Sequence, residues 1–356
     1  MMRIIRGLLV LITIIVIVSI LDRLLIKKYG NKKKIRFWTE VNEYILDKDL
    51  IYGGAISKYS RFVSKEFIEN VTTNSLGYRD HEFGKKSTDT YRILTVGDSF
   101  TFGHGIENNN ETYPKKLEKY LNMKGKKVEV FNVAVRGYSP DQEYRQIVNK
   151  LLFLEPDMII WNFSDLGDLH NTVAHNGDWP TPSLYDVGFS RLIPLDARAN
   201  WLYVGRYIKE RLPTFMRDSN LINFCIYYAS QTHLFTRKPN IPDDALTDWA
   251  VRKLNLQIED VKKRTDKRNI ILIIAVIPYP YKFSPSIANS KDDDVFANFF
   301  SGLRKREIMV ISIQDVIMSK GVKPRDLYYA VDYHPNRLGT SMFANVVGEA
   351  VFEKVR

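Results

Sequence analysis

The chain has 356 residues, 45% of them hydrophobic and 26% charged, a composition that supplies a folded core and excludes wholesale disorder. With one long apolar run near the start set aside, roughly 330 residues remain, enough for one large α/β domain with an insertion or for two small domains. The net charge of +11 sits mostly at one end: residues 1–36 carry nine Lys or Arg against the single acid Asp22, leaving 43 bases and 40 acids beyond. Such a juxtamembrane basic cluster suits anionic lipid headgroups, and nucleic acid is not an expected partner.

Gly7 to Leu21 (GLLVLITIIVIVSIL) carries no charge, and with Ile4, Ile5 and Leu24 to Ile26 it reaches the length a bilayer requires. No small-x-small cleavage site follows, so residues 1–26 are expected to be an uncleaved transmembrane anchor rather than a signal peptide. More positive charge follows the run than precedes it, which by the positive-inside rule keeps the main domain in the cytoplasm; large domains, however, translocate largely regardless of charge. The chemistry below favours an extracytoplasmic domain, so the two arguments on sidedness disagree. Cys225 is the only cysteine, which excludes an intrachain disulfide and a Cys-based metal site and does not choose a compartment.

Residues 27–88 are mixed and polar without a sustained period and read as a basic linker and irregular lead-in, with a turn at Asn74 to Arg79 (NSLGYR). A domain over 89–356 follows. Tyr91 to Val96, Val128 to Val133, Asp157 to Phe163, Ile270 to Ile277 and Ile308 to Ile313 read as strands, the fourth nearly unbroken and β-branched as a strand buried on both faces should be. Helices are expected over Glu111 to Leu121, with Tyr113, Leu117, Tyr120 and Leu121 on one face, over Pro140 to Leu154, and over Leu338 to Val355. Alternating strands and helices imply right-handed crossovers and a parallel sheet covered on both faces. The stretch at about 170–267 contains no core strand, is rich in Trp, Tyr, Pro and Arg, and reads as an inserted cap ending in a helix from Asp243 to about Arg264.

The first strand runs into Gly97-Asp98-Ser99-Phe100-Thr101-Phe102-Gly103-His104-Gly105. A serine just past a strand, in a Gly-flanked turn leading to a helix, is where α/β enzymes expose a nucleophile, though Gly-Asp-Ser is also ordinary turn chemistry. Near the other end stands Val331-Asp332-Tyr333-His334-Pro335-Asn336-Arg337-Leu338-Gly339. In an extended segment residues two apart face one side, so Asp332 can orient His334, and His is the side chain suited to take a serine proton near neutrality. The plainer reading is a helix-capping loop, with Asn336 capping the last helix.

Taken together, these two blocks flanking a parallel sheet resemble the SGNH (GDSL-type) hydrolase superfamily. The first block matches at Gly97-Asp98-Ser99, the last at Asp332 and His334 with the HPNxxG continuation of membrane-linked bacterial members. Phe131 to Tyr138 (FNVAVRGY) fits the second block, whose glycine amide helps form the oxyanion hole; that role falls on Gly137. The resemblance covers roughly residues 74–170 and 268–356. It implies a flavodoxin-like three-layer α/β/α sandwich with a five-stranded parallel sheet, acting on acyl esters without metal or cofactor, with Ser99, Asp332 and His334 as the catalytic triad and the amides of Ser99 and Gly137 as oxyanion donors. One block departs from the pattern. Where the family has Asn-Asp after the third strand, the chain has Gly167-Asp168, which removes one oxyanion donor unless Asn162 or Asn171 replaces it.

The function this implies is an esterase or acyltransferase acting on O-acyl, in particular O-acetyl, groups of a cell-surface polysaccharide. The expected partners are that acylated polysaccharide or another ester substrate, membrane lipid, and a membrane-bound O-acyltransferase. The alternatives are a lipid or small-ester hydrolase of the same fold and a catalytically silent carbohydrate-binding or scaffold protein. His170 and His175 lack a metal-ligand pattern, His104 reads as a loop histidine beside the pocket, and Trp161, Trp179 and Trp201 divide between core positions and a sugar-stacking platform.

Overall fold

The computed structural model describes Ile20 and residues 44–47, 49–164, 243–278 and 291–355. Five parallel strands form its centre: β5 (Tyr91–Val96), β6 (Val128–Asn132), β7 (Met158–Phe163), β8 (Ile271–Val276) and β9 (Met309–Ser312). Their order is β6-β5-β7-β8-β9, the doubly wound arrangement in which strand order reverses beside the first strand. That reversal opens a crevice at the carboxyl end of β5, where chains from both sides of the sheet converge.

Burial on both faces follows from the alternation of side chains along each strand. Leu94, Val96, Phe131, Ile159, Trp161, Ile274 and Val276 point to one face. There they meet α3 (Pro140–Gln146), α4 (Asp243–Asp266) and α5 (Lys291–Lys305), with Leu254, Ile258, Val261, Phe299 and Leu303 packed inward. Ile93, Val130, Met158, Ile160, Ile273 and Ala275 point the other way. They meet α2 (Tyr113–Met123), α6 (Ile313–Ser319) and α7 (Arg337–Val351), through Tyr113, Leu117, Leu121, Ile317, Phe343 and Val347. The result is a helix–sheet–helix sandwich. The helix expected from Pro140 to Leu154 is α-helical only to Gln146; one π turn (Ile147–Leu151) and one 3-10 turn (Leu152–Leu154) continue it, and Glu155 at φ 54 ends it.

The lead-in differs from the irregular linker expected for 27–88. Within it β1 (Tyr44–Asp47) pairs antiparallel with β2 (Ile51–Gly54), and β3 (Tyr59–Val63) with β4 (Ile68–Thr72). The period was masked because the inward positions are chemically mixed: Phe62 and Val71 face in, but so does the fully buried Glu69, while Tyr59, Val63 and Ile68 are exposed. Leu50 is buried in the main core, and Gln142 Nε2 donates to its carbonyl at 2.7 Å. The hairpins are therefore part of the domain. The expected insertion is described only from Asp243 onward, and the apolar run over 7–26 lies, but for Ile20, outside the described residues. Among the described residues no helix is long and apolar enough to cross a membrane.

The lead-in is pinned where two glycines cross. A Cβ on Gly54 would lie 1.9 Å from the Gly77 carbonyl oxygen, and one on Gly77 would lie 2.2 Å from that of Gly54. Gly77 also has φ 84, in the left-handed region. Backbone cannot retreat as a flexible side chain can, so Gly77→Ala should destabilise the domain by about 2–4 kcal/mol, combining strain and overpacking. Urea denaturation of both proteins tests this; an unchanged midpoint would show that the crossing is not tightly packed.

Candidate active site

The crevice at the end of β5 is built from a turn that only glycine can begin. A Cβ on Gly97 would lie 2.3 Å from Thr101 Oγ1 and 3.3 Å from Asn162 Cβ. Asp98 then caps the single-turn helix α1 (Ser99–Phe102), its Oδ1 accepting from Phe100 N at 2.9 Å. Gly103, at φ 88, ends that turn. Ser99 therefore sits at the first position of a helix directly beyond the strand, partly open to solvent.

The chain's other end comes to the same place. Ser99 Oγ lies 2.8 Å from His334 Nε2, and His334 Nδ1 lies 2.6 Å from Asp332 Oδ1. A carboxylate can only accept, so Nδ1 carries the imidazole proton and Nε2 presents its lone pair to the Ser99 hydroxyl. This is the arrangement in which a histidine withdraws a serine proton. The reason that Asp332 meets His334 differs from the extended segment expected. The segment is a turn, with Tyr333 at φ 65 and its amide donating to Tyr329 O at 3.2 Å. The left-handed residue between them swings both side chains to one side. Asn336 does cap α7, accepting from Leu338 N and Gly339 N while donating to Asp326 O and Tyr328 O. The capping loop and the histidine's placement are thus one structure.

Gly137 lies on the neighbouring loop, which is docked against the first by Val135 N donating to Gly97 O at 3.1 Å. It has φ 72, a conformation glycine adopts at little cost. Among the described residues, the backbone amides of Ser99 and Gly137 have no hydrogen-bond acceptor. Asn162, expected as a substitute oxyanion donor, is otherwise engaged: it is buried beneath Gly97, and its Nδ2 donates to Val96 O at 2.8 Å and Ile160 O at 3.3 Å. Its amide holds strand ends together. Gly167 and Asn171 lie outside the described residues, as do His170, His175, Trp179, Trp201 and Cys225. Trp161 is a core residue whose Nε1 donates to Glu143, not a surface platform.

Several site residues carry no sequence signal of their own. His104, read as a loop histidine, is buried with its ring 4.5 Å from that of His334, and its Nε2 is 3.8 Å from Asp332 Oδ2. Burial pushes its imidazole down to about 4, so the ring is neutral at ordinary pH. Behind it the buried Glu69 binds Arg79 at 3.0 Å and also Arg136. Glu66, at the turn between β3 and β4, accepts from Val331 N at 3.0 Å and Asp332 N at 2.8 Å. Burial raises the Asp332 carboxyl, but its interactions with His104 and His334 outweigh that and hold it far below the usual carboxylate range. Among the described residues, His104, Asp332 and His334 are the one group of potential metal ligands close enough to share an ion, their ligand atoms lying within 4.8 Å of one another. Asp332 and His334 are already joined to each other and to Ser99.

No protein-family model matches the chain, and neither does any curated protein sequence. Solved structures similar to it include the lipase/acylhydrolase from Enterococcus faecalis, at 11% identity and a TM-score of 0.43, over 75% of this chain and 97% of that one. The esterase EstA from Pseudoalteromonas sp. gives 12% identity and 0.42, over 74% and 97%. A family 3 carbohydrate esterase from Clostridium thermocellum gives 15% and 0.41, over 75% and 98%. The structure neighbours are thus GDSL-type lipolytic hydrolases and carbohydrate esterases at low identity.

The depressed Asp332 carboxyl has a signed consequence for stability. The unfolded chain binds that proton more readily than the folded one, so the contribution is fully present above about pH 4 and is lost as pH falls below it. Asp332→Asn removes the titrating group, and its stability should fall less steeply between about pH 5 and pH 2 than that of the wild type. Urea midpoints across that range measure both slopes; equal slopes would place Asp332 in an unperturbed environment.

Proposed function

We infer that the chain is a serine hydrolase of the SGNH type, an esterase or acyltransferase acting on O-acyl groups. The observation that carries this reading is the continuous line from Ser99 Oγ through His334 to Asp332, at 2.8 and 2.6 Å. A silent carbohydrate-binding scaffold has no need of a serine hydroxyl aligned on a histidine lone pair.

In the reaction, Ser99 Oγ attacks the acyl carbonyl carbon while its proton passes to His334 Nε2. Asp332 stabilises the imidazolium and keeps its orientation. The carbonyl oxygen becomes an oxyanion facing the Ser99 and Gly137 amides, preorganised donors of the kind that stabilise such charge. The carbon–oxygen bond to the leaving alcohol then breaks, and His334 returns the proton to that oxygen, leaving an acyl ester on Ser99. Water completes hydrolysis, or a sugar hydroxyl completes transfer, by the same steps in reverse. With Asn162 engaged elsewhere and Gly167 at the usual asparagine position, the described residues supply two backbone donors, and Asn171 is the remaining candidate for a third. One missing donor typically lowers turnover by about a hundred- to a thousandfold.

The substrate class is an O-acetylated cell-surface polysaccharide, a reading supported by the resemblance of the HPNxxG block to membrane-linked members and by the apolar, basic N-terminus. That N-terminus anchors the domain to the membrane on the extracytoplasmic side, beside a membrane-bound O-acyltransferase. Turnover of p-nitrophenyl acetate tests the chemistry: Ser99→Ala and His334→Ala should each lower kcat by a factor of about 10⁴ or more. A Ser99→Ala protein as active as wild type would refute the serine mechanism. For the anchor, full-length protein should stay in membranes through a carbonate wash, and its release with a new N-terminus near residue 30 would identify a processed leader instead.

A further inference from the structure

Behind the triad lies a second line of buried polar groups that the serine mechanism does not use. Asp332 offers one oxygen to His334 and turns the other, Oδ2, towards His104 Nε2 at 3.8 Å. His104 Nδ1 faces Glu69 Oε2 at 3.4 Å. Glu69 is fully buried, and its other oxygen binds the guanidinium groups of Arg79 and Arg136. The ring of His104 is walled by Phe67 at 5.5 Å and Phe62 at 6.1 Å, and its backbone amide donates to Ser99 O at 3.0 Å. Among the described residues neither ring nitrogen has a partner in hydrogen-bond geometry. A buried polar atom left so is costly, and closing the 3.8 Å gap by under an ångström would satisfy Nε2 and Asp332 together.

We propose that His104 is the positioning residue of the triad carboxylate: its Nε2–H donates to Asp332 Oδ2 and fixes the orientation in which Oδ1 holds His334. The inference rests on the serine-hydrolase reading. A neutral ring has one proton to place between two carboxylates. Glu69 is already matched by two guanidinium groups, whereas Asp332 faces His334 and His104, so the proton stabilises most on Nε2. The Nδ1 lone pair then faces Glu69 Oε2 at 3.4 Å, a repulsion that the two guanidinium groups on Glu69 offset. The hairpin of β3 and β4 thereby enters the active site at one remove, supplying Glu69 to His104 just as it supplies Glu66 to the Asp332 backbone.

Side-chain amides separate this role from mere packing. In place of His104, Gln carries its NH2 where Nε2 stands, facing Asp332; Asn carries it where Nδ1 stands, facing Glu69; Leu carries none. In the full-length protein, kcat on p-nitrophenyl acetate should fall about ten- to a hundredfold in His104→Leu and His104→Asn, as expected when a reacting group is misplaced by about an ångström. His104→Gln should recover most of it, and KM should move less than threefold throughout. Equal activity of the three variants, or recovery by Asn and not Gln, overturns the proposal. Should the variants unfold, the nitrogen-15 spectrum of wild-type His104 decides: a proton on Nε2 agrees, and one on Nδ1 overturns it. Active wild type, inactive Ser99→Ala and indifferent His104 variants would sink this inference alone. Wild type inert towards the ester would remove the hydrolase reading and this inference with it.

Discussion

The hydrogen bond between Ser99 and His334 joins residues 235 positions apart, and it has no slack: a serine hydroxyl must meet a histidine lone pair within hydrogen-bonding distance. Much of the described chain can be understood as holding its two ends. The sheet order brings the end of β5 to the crevice, Gly97 permits the tight turn, and Asp98 caps the helix that begins at Ser99. On the other side, α7 is fixed by Asn336, and a Cβ on Gly339 would lie 2.2 Å from Leu327 O, so the histidine loop is pressed against its own approach. The bridge between Tyr328 and Pro335 closes that loop.

Electrostatics adds a second constraint. Two carboxylates, Glu69 and Asp332, are placed in or near the interior beside two histidines. Buried charge is costly unless matched, and removing one partner of such a set exposes the full penalty on the other. Burial raises Glu69, but Arg136, His104 and Arg79 pull it below the ordinary carboxylate range, so it stays ionised. Both guanidinium groups also lie over the Phe102 ring, at 5.3 and 4.4 Å, tying the charge cluster to the last residue of the nucleophile's helix. A site assembled this way is rigid because its charges have few other places to go.

The strands of the sheet were legible because both-face burial writes unbroken apolar runs, and Ile270 to Ile277 is the plainest of them. Ser99 was legible from the turn beyond its strand, and Asp332 and His334 from their spacing, although a turn at Tyr333 and not an extended segment brings them together. The lead-in was not, since Glu69 occupies an inward strand position where a periodic reading expects an apolar residue, and its partners Arg79 and Arg136 lie outside its own hairpin. His104 was visible as a residue but not as a neighbour of Asp332, because a one-turn helix ending at a left-handed Gly103 decides where it points. The engagement of Asn162 was hidden for a related reason: its place beneath Gly97 depends on the β5–β7 pairing, which no local pattern encodes.

The central claim is that Ser99 is a nucleophile made reactive by His334. Treating the full-length protein with a fluorophosphonate and mapping the adduct by mass spectrometry tests it most directly, because the probe needs an activated serine and no knowledge of the substrate. The account predicts one stoichiometric phosphonyl adduct on the peptide containing Ser99, lost in a folded His334→Ala protein. A folded wild-type protein that takes up no probe, or carries it on another residue, would contradict it.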